Sequence, residues 1–204
     1  EAGVHEILVS PGVWDGPIDT LGKAITIRSS DGPESTIISG NGIGHAITIH
    51  SGESSDTIID GFTVLDGTAN EGGGLLIDNA SPEIRNCVFK QNNADYAGGA
   101  VRVTNGFPLF NQCVFESNTA SWGGAVSSFS GGPQFMSCEF LNNESRDDGR
   151  GGAVSAWTSD ARFVECEFSN NTAASNSEAL FIVDGGGAYA PYIEGTLFCN
   201  NSPS

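Results

Sequence analysis

Four cysteines, Cys87, Cys113, Cys138 and Cys166, recur 26, 25 and 28 residues apart. Thiols at so regular a spacing suit three kinds of chemistry. They can pair as disulfides, ligate a soft metal, or pack as small apolar groups with a weak S–H donor. No CxxC pair accompanies them. The three histidines, His5, His45 and His50, all lie upstream, so a zinc set does not assemble from the spacing. Neither a metal nor a cofactor is expected. A stack of buried thiols and disulfides between neighbouring cysteines both remain open.

Other catalytic patterns are weak. Hydrolysis of a glycoside needs two placed carboxylates, one of them protonated. The best acidic group here is Asp60, Asp66 and Glu71, on loop-like sequence that a solvated surface explains. Arg102, Arg146, Arg150 and Arg162 are scattered, with no Lys/Arg pair to receive a uronate. The histidines do not combine with a serine and an aspartate into a triad. The Gly pairs of the GGAV segments lack the Lys-Ser/Thr of a phosphate loop and read as tight corners. The chain of 204 residues carries 25 Asp and Glu against 8 Lys and Arg, a net charge of −17. That balance argues against nucleic acid and against an anionic membrane surface. No apolar run of ~18 residues is available to span a bilayer, so membrane insertion is not expected.

The elements around these cysteines repeat. Residues 72–92 read GGGLLIDNASPEIRNCVFKQN, and residues 98–118 read GGAVRVTNGFPLFNQCVFESN. The pattern returns as GGAVSSFSGGPQFMSCEFLNN at 123–143 and GGAVSAWTSDARFVECEFSNN at 151–171. A period of this length signals a solenoid. Each copy divides into three short strands: the GGAV segment, one opening near Pro82, Pro108, Pro133, Ala161 or Pro191, and a third carrying CxF. In register across the copies stand Phe89, Phe115, Phe140, Phe168 and Phe198. Three residues further on stand Asn92, Asn118, Asn143, Asn171 and Asn201. Phe and Cys at i and i+2 share a face, which is placed inward. The Asn falls where the chain leaves the third strand, able to bond its equivalent in the next turn and to tolerate a left-handed backbone. No stretch has a helical apolar period.

The expected fold is therefore all-β: a single-stranded, right-handed parallel β-helix of about eight turns with three short strands each. Residues 1–23 read as an irregular N-terminal cap with one short strand through Ile7, Val9 and Val13. Residues 24–204 form the β-helix, with clear repeats over 72–201. Residues 24–66 hold two degenerate turns.

The GGA[ILV] and FxxN marks resemble the repeats of chlamydial polymorphic outer-membrane proteins. The matches are GGGL at 72–75, GGAV at 98–101, 123–126 and 151–154, and FxxN from Phe89, Phe115, Phe140, Phe168 and Phe198. The resemblance implies a β-helical segment on a bacterial surface or among its secretions, within the wider pectate-lyase-like group that also includes enzymes.

Binding is expected away from the ladders. The segments after FxxN vary: NADYA (93–97), TASW (119–122), ESRDDGR (144–150) and TAASNS (172–177). Variable loops on a regular scaffold concentrate function. Tyr96, Trp122, Asp147, Asp148 and Arg150 belong to this edge. Strand parity turns Phe129 and Trp157 outward in adjacent turns, where stacked aromatics suit a glycan or a surface protein. The last FxxN is followed at once by SPS, so the final turn is expected to be uncapped and to self-associate head to tail. The expected function is non-catalytic adhesion, structure or self-assembly, secreted or at the cell surface. The alternative is a carbohydrate-binding or polysaccharide-degrading β-helix.

Overall fold

A computed structural model describes residues 5–175, 179–183 and 190–203. Those residues are strands, corners and turns without a helix, wound into a parallel β-solenoid of about seven turns. Strands pair in parallel with their equivalents in neighbouring turns, those at the ends of each sheet on one side only. Each strand is only two to five residues long and cannot bury a face alone, so stacking is what makes it stable.

The turn holds four strands where the sequence suggested three. Two sheets hold eight strands, one seven and one six. In the turn that begins at Gly98 the strands are Val101–Thr104, Leu109–Asn111, Val114–Glu116 and Thr119–Ala120. The fourth lies in the stretch expected as variable loop. Its equivalents begin at Asn93, Glu144 and Thr172, and the second residue of each is buried: Ala94, Ala120, Ser145 and Ala173. A small side chain there lets the backbone approach the core closely enough to join a sheet. Variation in length falls beyond this pair, whose second residue stays small. Residues 176 and 177 of the expected loop lie outside the described residues.

The N-terminal segment also departs from expectation. It is not irregular but pairs as a further turn, through His5–Val9, Gly12–Asp15 and Ile18–Asp19. Residues 1–4 of the expected cap lie outside the described residues. Its apolar side chains Leu8 and Val13 stay exposed.

Corners are made by single left-handed residues. Around the same turn these are Asn105, Gln112, Ser117 and Gly123, with φ of 52°, 53°, 55° and 61°. The ladder asparagines, expected to tolerate this conformation, do not adopt it. The residue before each takes it instead: Gln91, Ser117, Asn142, Asn170 and Asn200. The reason is geometric. The corner residue turns the chain, and the Asn after it is left with its side chain directed inward. Gly98 and Gly99 show why the pair is glycine. Gly98 has φ of 66°, and a Cβ on either residue would press on backbone carbonyls, those of Val101 and Gly124 respectively.

Inside, two columns of rings run along the axis. Phe89, Phe115, Phe140, Phe168 and Phe198 stack with centroids 5.2, 4.8, 4.4 and 4.8 Å apart and nearly parallel planes. Phe110, Phe135 and Phe163 stack beside them at 5.0 Å. The columns meet edge to face, as for Phe135 and Phe140 at 5.4 Å.

The asparagines form a third column. Asn118 Nδ2 donates to Asn143 Oδ1 (3.0 Å) and to the Phe89 carbonyl (2.9 Å), and its backbone N–H donates to the same Oδ1 (3.0 Å). Asn92 bonds Asn118 in this way, Asn143 bonds Asn171, and Asn171 bonds Asn201. The column stops at Gly67, three residues after Val64, the register partner of Phe89. Its N–H donates to Asn92 Oδ1, and a Cβ there would run into Gly73.

Glu53 ties the N-terminal turn to the next one and carries no mark in the sequence. It is buried, accepting from Thr20 Oγ1 (2.6 Å), Gly22 N (2.9 Å) and Ser51 N (2.7 Å). Burial pushes its pKa up, but these donors outweigh it and hold the carboxyl below the usual range. Its contribution to stability is therefore full above the unfolded-chain value of ~4.3 and is lost as pH falls through the lower folded value. Glu53→Gln is expected to cost about 1–3 kcal/mol at neutral pH. The gap to the parent should shrink on acidification, read by urea unfolding or by amide exchange in residues 18–29. A gap that does not depend on pH would show that the charge contributes nothing.

Candidate functional site

The four cysteines lie on the inward face and are free thiols. Disulfides between turns, open from sequence, are not formed. Each Sγ points at backbone carbonyls: Cys138 at Phe110 O (3.5 Å) and Met136 O (3.4 Å), Cys166 at Phe135 O (3.5 Å) and Val164 O (3.4 Å). Burial pushes the Cys87 thiol up to about 12 and raises Cys138, while the neighbouring Cys138 thiol and burial raise Cys166. Neutral, enclosed thiols are poor nucleophiles, so this column is packing rather than chemistry.

The acidic group does not converge. Asp60 faces its register partner Arg85, accepting from Arg85 Nε (3.1 Å) and Asn86 Nδ2 (2.8 Å). Glu71 pairs instead with Arg102 at 3.5 Å, and Asp66 is an exposed corner residue with φ of 53°.

The aromatics do converge. Tyr96 lies in Asn93–Ala97, the fourth strand of its turn, and Trp122 just after Thr119–Ala120, where Trp122 N donates to the Tyr96 carbonyl (2.9 Å). Phe129 and Trp157 come from the outward positions of Val126–Phe129 and Val154–Trp157, and are register partners. Together with Arg102 and Ser127 they line a groove of about 330 Å³. Tyr96 and Phe129 are 53% and 47% exposed, whereas Trp122 and Trp157 are half-buried. The rings do not pair as parity suggested. Trp157 meets Trp122 edge to face at 5.7 Å and leans on Phe181 at 5.1 Å. Its indole N–H donates to Ser155 Oγ (3.1 Å), which draws the ring down onto the sheet.

Arg102, a scattered charge in the sequence, lies in the groove. Its Nη1 donates to Ser127 Oγ (2.7 Å), and Glu71 lies 3.5 Å from its Nε. Ser127 and Ser155 face outward but are almost wholly covered, the first bonded to Arg102 and the second to Trp157. Aligning the repeats would have found the set, because Arg102, Ser127 and Ser155 each come directly after a GGAV segment and share one column.

Three expected site residues fall elsewhere. Asp147 is a left-handed corner (φ 57°) whose carboxylate accepts from Ser121 Oγ (2.8 Å). Asp148 is exposed beside it. Arg150 places its guanidinium 4.9 Å over the Phe181 ring, so its charge supports an aromatic outside the groove lining.

Residues 112–128 match the Chlamydia polymorphic membrane protein repeat. This chain is a β-helix repeat protein resembling the chlamydial polymorphic membrane proteins. The matched stretch runs from a left-handed corner through Cys113, Phe115, Asn118 and Trp122 into the GGAV strand, so it spans both the ladders and part of the groove. The similarity suggests a surface or outer-membrane type of β-helix. No curated protein and no solved structure matches the chain.

Proposed function

We propose that the protein is a non-catalytic, secreted or cell-surface attachment scaffold whose contact point is the aromatic groove. The observation that supports this is the placement of exposed Tyr96 and Phe129 on the outer face of a rigid, regular stack. Contact residues on a stiff frame lose little entropy on binding. The resemblance to a surface-protein repeat favours the same location. Beads coated with the full chain should adhere to cultured cells. The double variant Tyr96→Ala, Phe129→Ala should lose about tenfold or more of that adhesion, since a few aromatics dominate most interfaces. Unchanged adhesion by the variant would overturn the role of the groove.

Self-association is a second reading, favoured by a different observation. Leu197 and Phe198 in the last described turn, and Leu8 and Val13 in the first, are large apolar side chains exposed on strands at the edges of their sheets among the described residues. Contact between these turns would build a head-to-tail filament. Sedimentation should show a concentration-dependent polymer that Phe198→Lys dissolves. A monomer at every concentration would remove this reading.

A further inference from the structure

We infer that the groove lined by Tyr96, Arg102, Trp122, Ser127, Phe129 and Trp157 binds a neutral oligosaccharide. This rests on the groove reading above and adds the class of ligand. A sugar ring has an apolar C–H face and a rim of hydroxyls. Its site therefore needs aromatic faces beside fixed hydrogen-bonding groups. The groove supplies both: two half-exposed rings, Tyr96 and Phe129, with Arg102 and Ser127 among its lining. Arg102 has five N–H donors, and among the described residues its one hydrogen bond goes to Ser127. Its Nε is enclosed beside Glu71, so the donors left for sugar hydroxyls are those of Nη2 and the second hydrogen of Nη1.

Charge selects the class. The molecule carries −17, yet Arg102 is the one charged residue lining the groove, and Glu71 at 3.5 Å balances it. A polyanion would approach against the field of the whole protein, and a cation would find no carboxylate in the groove lining to pair with. A neutral, hydroxyl-rich ligand meets neither obstacle. Size points the same way. About 330 Å³ lined by these six residues and Ala97 suits one or two sugar rings. A stable protein interface uses roughly 20–30 residues a side. The spacing fits as well. Tyr96 and Trp122 come from successive turns, as do Phe129 and Trp157. The rise between turns, ~4.8 Å, is close to the length of one sugar unit in an extended chain, so such a chain can lie along the axis and meet a ring at each turn.

Trp122 and Trp157 make the groove report on itself, because the third tryptophan, Trp14, lies in the N-terminal turn. The test is a tryptophan-fluorescence titration of the full chain. The probes are neutral hexasaccharides of glucose, mannose, galactose and N-acetylglucosamine, beside oligogalacturonate and sialyllactose. At least one neutral probe should give a saturable change that survives Trp14→Phe. Tyr96→Ala and Phe129→Ala should each weaken it about tenfold or more, with unaltered thermal midpoints. No saturable binding of any neutral probe, binding of acidic probes alone, or binding untouched by both substitutions would overturn the inference. Cell adhesion that needs Tyr96 and Phe129 but ignores excess neutral hexasaccharide would overturn the sugar while leaving the attachment reading standing. Sugar binding without adhesion would do the reverse.

Discussion

Phe140→Ala is expected to lower stability by about 3–5 kcal/mol, among the largest effects of any single core truncation here. Phe140 is fully buried, and its ring stacks at 4.8 Å on Phe115 and 4.4 Å on Phe168. It also meets Phe135 and Phe163 edge to face. Truncation removes the middle of a column held by turns on both sides, so the backbone cannot collapse into the gap without breaking neighbouring ladders. In a solenoid such a defect should be felt mainly by adjacent turns. Urea unfolding should show the loss, and amide exchange should rise first in residues 114–116, 139–141 and 167–169. Phe140→Leu, which keeps most of the volume, should cost less than half as much. A loss below about 1 kcal/mol for the alanine would mean that the column is not what holds these turns together.

The second large effect is expected at Asn143, with an order that separates hydrogen bonding from packing. Its Oδ1 accepts from Asn118 Nδ2 and Asn118 N, and its Nδ2 donates to Asn171 Oδ1 and the Phe115 carbonyl, all within 2.9–3.0 Å. Alanine leaves these groups buried without partners, at a cost on the order of 3–5 kcal/mol for the set. Aspartate has nearly the same shape, yet it replaces a donor by a negative oxygen facing two acceptors. Asn143→Asp should therefore be more damaging than Asn143→Ala at neutral pH and recover partly as the carboxyl protonates in acid. Asn201→Ala, in a half-buried position at the end of the ladder, should be milder than either. Thermal unfolding of the three variants between pH 4 and pH 8 checks the order. If Asp proved as benign as Ala, the side-chain bonds would carry little of the stability.

The repeat made much of this architecture readable. Cys, Phe and Asn return at fixed offsets, so register is fixed directly: Phe89 against Phe115, and Phe115 against Phe140. The fourth strand escaped because two residues, such as Thr119 and Ala120, are too few for an alternation to show. The corners escaped for another reason. Gln112, Ser137 and Glu165 occupy equivalent left-handed positions with unlike side chains. The shared property is backbone conformation, which residue type records poorly outside Gly and Asn. Of the groove, Tyr96, Trp122, Phe129 and Trp157 were legible singly. Their meeting depends on pairing between successive turns, Ala97 against Trp122 and Phe129 against Trp157, and no local pattern carries that.

Each asparagine amide hands its hydrogen bond in one direction, from Asn92 to Asn118 and so on to Asn201. Donor and acceptor are the same chemical groups at every step, so each layer is a valid neighbour for any other. Excising residues 123–150 would bring Asn118 beside Asn171 and Phe115 beside Phe168 through the contacts each already makes. Such a chain can gain or lose whole layers by recombination within its own coding sequence, and length becomes an inherited variable separable from fold. What cannot be exchanged freely is the outward set, because Phe129 would leave with the excised layer and the groove would lose one wall.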